Sequence, residues 1–241
     1  MMTPSLVIVP LSMFLLITCH SPKEVEDPYV IPGLDHGLHQ SPINIITDSL
    51  IEGSHQIIAD YKPSHEEITH LKNTVEVEYD SGSFLSFDGV RYECKQFHFH
   101  TPAEHLIDGI TYPMEVHLVH TNIDSTQSHH YFVISMLFRM GQHNDFLQDF
   151  IDRVPEAIGD TAHFDNTYFD LSELVTEELK DYYHYTGSLT TPPYTETVNW
   201  AVSYHVLEAS PAQIARLNKI EGNNARHIQS INSRKIEFIH Q

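Results

Sequence analysis

Alternation is the strongest constraint this chain places on its own fold. In Gln96-Phe97-His98-Phe99-His100, polar and aromatic residues take turns. Successive side chains of a β-strand point to opposite faces, so Gln96, His98 and His100 share one face, with the two histidines about 7 Å apart along the strand. Phe97 and Phe99 take the other face, where two large rings need a core. The stretch Met114-Glu115-Val116-His117-Leu118-Val119-His120 repeats the arrangement. Its Glu115, His117 and Val119 fall on one face, and Val116, Leu118 and His120 on the other. Thr101-Pro102 ends the first stretch and Asp108-Gly109 marks a turn before the second. So short a connection predicts antiparallel neighbours.

Two imidazoles at i, i+2 can grip one ion, and a third from the neighbouring strand completes three protein ligands. Three neutral histidines with the fourth position open to water is the ligand set of a catalytic zinc. The plain alternative is a pair of satisfied or exposed histidines. This chain has 19 histidines, so His-x-His pairs arise by chance, and spacing alone does not choose between the two.

The 241 residues suffice for one large domain with its own core. Thirty-three acids against 13 bases give a formal charge of −20. That excludes nucleic acid as a partner, because phosphate binding needs a basic face. It favours solubility and a monomer or dimer. Residues 1–19 read as a targeting leader: Leu6 to Ile17 is apolar but too short to span a bilayer comfortably. It ends Leu16-Ile17-Thr18-Cys19, which fits either a lipoprotein leader with Cys19 as the lipid acceptor or an ordinary secretory signal. Both readings export the protein, as a periplasmic form or a membrane-anchored lipoprotein, with membrane contact only through Cys19. Residues 20–39 read as a tether and irregular entry segment, and residues 40–241 as the domain. The chain has two cysteines. With Cys19 consumed or removed, Cys94 has no partner for an intramolecular disulfide.

Within the domain the pattern is mostly strands. Val75–Tyr79 alternates with acids and predicts a strand with one wet face. Phe84–Phe87 is a short strand between turn signals. Tyr131–Phe138 is nearly all apolar and predicts a central strand buried on both faces. Helices are expected over 144–153 behind Asn144 as N-cap, over 172–180, and from Ser210-Pro211-Ala212-Gln213 to about Lys219, where Ser caps, Pro opens and Gln follows. There is no internal repeat.

Five motifs in order resemble the α-class carbonic anhydrases. They are Gln40–Ile45, Gln96–His100 with Ala103-Glu104-His105, Glu115–His120, Tyr185–Pro193 and Asn224–Arg234. The resemblance implies a mainly β fold: a single domain with a central twisted, mostly antiparallel ten-stranded sheet and short peripheral helices. It implies Zn2+ held by His98, His100 and His117, and a zinc-held hydroxide that attacks carbon dioxide to give bicarbonate, with esterase activity as a side reaction. It makes Thr190 the residue that orients the hydroxide and Glu104 the ionised acceptor of the Thr190 proton. Gln96, Glu115 and Asn224 would hold the far nitrogens of the ligand histidines. Val119, Val133, Leu189, Thr191, Val198 and Trp200 would receive the substrate, and His105 and His120 would be buried structural histidines. Sulfonamide inhibition is expected with it. The chain also departs from the family. Asn73 stands at or near the place of the proton-shuttle histidine. His70, three residues away, is the nearest substitute, with a plain surface histidine as the alternative. Thr197 and the neighbourhood of His36 stand where exported members carry a disulfide.

Overall fold

The computed structural model describes residues 37–124, 129–175 and 178–241. The leader, Cys19, His36 and most of the tether lie outside them. Phe97, Phe99, Val116 and Leu118 are completely buried, each Phe or Leu contributing about 1.5–3 kcal/mol by leaving water. This apolar side of the two histidine strands anchors the larger core, which Leu147, Phe150, Ile214 and Leu217 cover from the helices.

One large sheet carries the domain. Its continuous path runs through ten strands, in spatial order Thr161–Phe169, Ser64–His70, Val75–Glu78, Val90–His100, Met114–Asn122, Tyr131–Met140, Val198–Ser203, Asp181–Gly187, Glu237–His240 and Ile51–Glu52. Leu207–Ala209, Ile57–Asp60 and Phe84–Phe87 attach beside this path, making thirteen strands. The ten expected strands are therefore the path, and the sheet is larger than its path. Most neighbours are antiparallel; Tyr131–Met140 with Val198–Ser203 and with Leu207–Ala209, and Glu237–His240 with Ile51–Glu52, are parallel. Asn44–Ile45, Leu106–Ile107 and Ile110–Thr111 form a separate small sheet.

The central triplet behaves as its sequence demands. Met114–Asn122 lies between Val90–His100 and Tyr131–Met140. The last of these has Phe132 to Phe138 buried in an unbroken run, so both its faces are covered. A second, smaller core beneath the histidine side gathers Ile43, Ile45, Val133, Leu137, Tyr185, Val198 and Trp200. Here backbone and side chains pack closely: a Cβ on Gly187 would lie 2.1 Å from Ser41 Oγ, so only glycine fits.

Helix α1, Asp145–Arg153, is capped by Asn144, whose Oδ1 accepts the Leu147 N–H at 2.9 Å. Helix α2 is described over Leu171–Val175, and residues 178–180 of the expected 172–180 are turn and bend rather than helix. Helix α3, Pro211–Glu221, has the expected capping box between Ser210 and Gln213. It continues past Lys219 to Gly222, whose φ of 72° ends it. The strand Thr161–Phe169 was not anticipated, because its sequence, TAHFDNTYF, lacks an apolar alternation. Cys94 is buried and free.

Candidate metal centre

The strand register builds the site. His98 on Val90–His100 is directly opposite His117 on Met114–Asn122; His100 is opposite Glu115, and Gln96 opposite Val119. Paired residues share a face, so the three histidines, Gln96 and Glu115 converge while Phe97, Phe99, Val116 and Leu118 face the core. His98 Nε2 lies 3.1 Å from His100 Nε2. The His117 ring centroid stands 5.3 Å from that of His98 and 4.6 Å from that of His100. Ligand atoms of all three lie within 4.8 Å of one another.

Each ring is oriented from behind. His98 Nδ1 is 2.8 Å from Gln96 Oε1, and Gln96 Nε2 donates to Glu76 Oε2 at 3.0 Å. The Glu76 carboxylate requires the amide N–H2 on its side, so the Gln96 oxygen faces His98 and Nδ1 carries the proton. That frees Nε2. His117 Nε2 lies 2.6 Å from Glu115 Oε1, which only accepts, so His117 presents Nδ1 to the cluster. Glu115 is completely buried and takes five donors. Oε2 accepts the N–H groups of Glu104 and His105 at 2.7 and 2.8 Å. Oε1 accepts His105 Nδ1, His117 Nε2 and Ser135 Oγ, each at 2.6 Å. Despite burial, which acts to raise it, the His105 and His117 contacts hold the Glu115 carboxyl well below the usual range.

His100 Nδ1 is the exception. Among the described residues it has no hydrogen-bond partner, although the Asn224 main chain beside it favours the protonated ring. Glu104 Oε1 stands 3.6 Å away. Asn224 meets His100 through its main chain, and its side chain does a second job. Its Oδ1 accepts the Thr101 N–H at 2.9 Å, and its Nδ2 donates to Asn73 O and Phe99 O at 3.0 and 3.2 Å. It staples the end of the histidine strand, leaving its main chain toward His100.

Burial, together with the neighbouring His117, lowers the His98 pKa to about 3. It also lowers His100 well below the ordinary value and lowers His117. All three rings are therefore neutral, with lone pairs available. A cation is the group that resolves their mutual approach, and three imidazoles suit zinc. A neighbouring close group, His105, Glu115 and His117, is already a closed hydrogen-bond network.

Glu104 is 1% exposed. Its Oε1 accepts the Arg226 N–H at 2.8 Å. Burial and the nearby Glu115 push its pKa well above the usual range, opposed by Arg226 and the Thr190 hydroxyl. A +2 charge held by His100 and His117, whose Nδ1 atoms lie 3.6 and 4.0 Å from this carboxyl, favours the carboxylate. The Thr190 hydroxyl stands beside this carboxyl and acts to lower it, while Oε2 meets no partner at strict hydrogen-bond geometry among the described residues.

A cavity of about 200 Å³ opens above His98 and His117, walled by Val119, Tyr131, Val133, Leu189 and Trp200, with Thr190 and Thr191 at its edge. The Trp200 ring lies 4.9 Å from that of His117. Val198, expected in this wall, is fully buried in the small core and does not line the cavity. Tyr131 does, and was missed. Its signal was its position two residues before Val133, in register with Thr121. Glu76 was also missed. It pairs directly with His98, so the wet face of its strand is the side wall of the site. His105 bonds Tyr185 as well as Glu115, and His120 bonds Tyr61 and Phe132 O; both are buried and structural. His70 is neither a surface residue nor near the cavity. It is 7% exposed, with Nδ1 bonded to Pro155 O at 2.8 Å, and lines a separate cleft beside α3.

Three neutral imidazoles from adjacent strands, under an apolar cavity, are a candidate three-histidine metal site of the metalloenzyme type. The family model described as eukaryotic-type carbonic anhydrase matches residues 30–240. A carbonic anhydrase of Nostoc sp. is 33% identical over 204 residues, covering 83% of this chain and 75% of that protein. One of Neisseria gonorrhoeae is 36% identical over 202 residues, covering 83% and 77%. The solved complex of alpha-carbonic anhydrase from Thermovibrio ammonificans with the inhibitor sulfanilamide matches with a TM-score of 0.77 at 32% identity, covering 83% of this chain and 87% of that one. This chain belongs to the carbonic anhydrase family.

Proposed function

We propose that this chain is an exported, bacterial-type zinc enzyme that interconverts carbon dioxide and bicarbonate. The observation that carries the reading is the convergence of His98, His100 and His117, each ring neutral, at the floor of the cavity. Those three residues would hold Zn2+, which supplies a bound water acidic enough, with a pKa near 7, to furnish a nucleophile at neutral pH.

The chain's own residues do the rest. Glu115 and Gln96 keep His117 and His98 in the tautomers that aim Nδ1 and Nε2 inward. Glu104, anchored by Arg226, accepts the Thr190 proton, so Thr190 Oγ1 is left to accept a hydrogen bond from the attacking oxygen and turn a lone pair toward the substrate carbon. Val119, Val133, Leu189 and Trp200 offer carbon dioxide, a molecule with little to hydrogen-bond, an apolar seat. Thr191 at the edge suits the polar product. The same machinery serves activated esters as a side reaction.

Asn73 in the shuttle's place makes proton export the slow step. The apolar leader ending at Cys19 supports export, with lipidation at that residue or removal of the leader. Stopped-flow carbon dioxide hydration by the zinc-loaded protein tests the activity, with loss of rate on adding a sulfonamide as the expected companion. Absence of hydration overturns it.

A further inference from the structure

A second set of imidazoles closes on one carboxylate oxygen, on the sheet face opposite the centre just described. His184 on Asp181–Gly187 is the direct cross-strand partner of Glu237 on Glu237–His240, so the two side chains share a face. Its chain neighbour Tyr185 points to the other face, toward His105. His184 Nδ1 and His55 Nε2 each lie 2.9 Å from the same atom, Glu237 Oε2. His55 belongs to the loop between Ile51–Glu52 and Ile57–Asp60. It is braced from behind: its Nδ1 bonds Asp88 Oδ2, and Asp88 Oδ1 accepts the Gln56 N–H at 2.9 Å. A carboxylate on the far nitrogen is the arrangement that orients metal-ligating imidazoles. The Phe87 ring, 4.8 Å from His55 and 5.0 Å from His184, covers one side.

A charged His55 between Asp88 and Glu237 would be an ordinary structural bridge. It leaves His184 unexplained. That ring is 6% exposed, and beyond Glu237 and His55 it meets only the Asn199 side chain, with no closed hydrogen bond at Nε2 among the described residues. If Nδ1 carries the proton, Nε2 is a buried acceptor with no closed bond, facing only the Asn199 side chain. If Nε2 carries it, the Nδ1 lone pair meets a carboxylate oxygen. A cation between His184 Nδ1, His55 Nε2 and Glu237 removes the conflict. The three donor atoms lie within 4.8 Å of one another, and the His55 and Glu237 side chains are 29% and 27% exposed, which gives an ion a way in. Two imidazoles and a carboxylate are a zinc-type donor set.

We propose that His55, His184 and Glu237 form a second divalent transition-metal site of the zinc class, which ties the strand Glu237–His240 to the loop before Ile57–Asp60. The test strips the full chain with a chelator, dialyses it against zinc(II), and counts metal per chain by mass spectrometry, with hydration measured in parallel. Two equivalents are expected for the wild type. One is expected for Glu237→Gln and for His184→Asn, each keeping wild-type hydration. Should His184→Asn unfold the chain, Glu237→Gln at its half-open position carries the test. A wild type that holds one equivalent overturns the proposal, and so does a second equivalent that survives Glu237→Gln. Either result leaves the three-histidine centre to be judged by its own hydration assay.

Discussion

Glu115→Gln is the substitution that probes the centre most directly, because Glu115 spends both oxygens on five donors. Glutamine keeps the shape but has one acceptor oxygen and one N–H2 group. If the N–H2 replaces Oε1, it opposes His105, His117 and Ser135; if it replaces Oε2, it opposes the N–H groups of Glu104 and His105. The milder choice still loses two bonds. At about 1.5–3 kcal/mol for each hydrogen bond to a charged group, the expected destabilisation is roughly 3–6 kcal/mol. The His117 tautomer also loses its charged guarantor, so zinc affinity should fall roughly 10–100-fold. Guanidinium unfolding followed by fluorescence of Trp200, the single and buried tryptophan, reads the first quantity. Competition with a chromophoric chelator reads the second. Tyr185→Phe removes the outer bond to His105 and the bond to Ser41 Oγ while leaving Glu115 untouched, and serves as the control, at about 1–3 kcal/mol. An unfolding free energy within about 1 kcal/mol of wild type, together with unchanged zinc affinity, would refute the account of Glu115 as the hub.

Thr190→Ala should lower kcat for hydration by roughly 10²-fold with metal content unchanged, as expected for loss of an orienting group in the transition state; metal analysis beside stopped-flow rates checks it. Asn73→His should raise turnover in weak buffer and abolish the rate gain that added imidazole gives the wild type, since Asn73 O is tied to the Asn224 that staples the histidine strand. Burial pushes Glu221 up to about 8, and only Oε1 is bonded, to the Val75 N–H. Its folded pKa is raised, so the folded chain holds a proton that the unfolded chain has already released. The Glu221 contribution is then fully present below about pH 4.5 and is lost as pH rises to about 8. Glu221→Gln should flatten the fall in unfolding free energy between pH 5 and 8, by at most about 5 kcal/mol; an unchanged pH profile would count against it.

The convergence of the three histidines was legible because alternation in a strand is a rigid rule. Once Phe97 and Phe99 are buried, His98 and His100 have no choice of face, and pairing across a short connection brings His117 opposite. The catalytic loop and Asn224 were legible only through resemblance, since nothing in the local sequence says that Thr190 will meet Glu104. Val198 was misjudged for a packing reason: Tyr131, its register partner, lines the cavity that Val198 lies too deep to reach. Glu76 looked like a solvent-facing acid because a polar residue on an alternating strand reads the same whether it meets bulk water or a cleft. The His55, His184 and Glu237 cluster gave no signal at all, being assembled from a loop and two distant strands. Helix caps were readable to the residue at Asn144 and Ser210, where side-chain chemistry is local.

All three ligands of the centre come from the adjacent strands Val90–His100 and Met114–Asn122, whereas Thr190, Trp200 and Asn224 arrive much later in the chain. Contacts between near neighbours in sequence close with less entropy and form faster than distant ones. Metal uptake and catalytic competence are thus separable in time during synthesis. A growing chain that has paired only these two strands already holds the donor set, and an ion captured there would favour the correct register against a one-residue slip, which would turn every histidine into the core. The ion that later serves the reaction would first act as a proofreader of the fold.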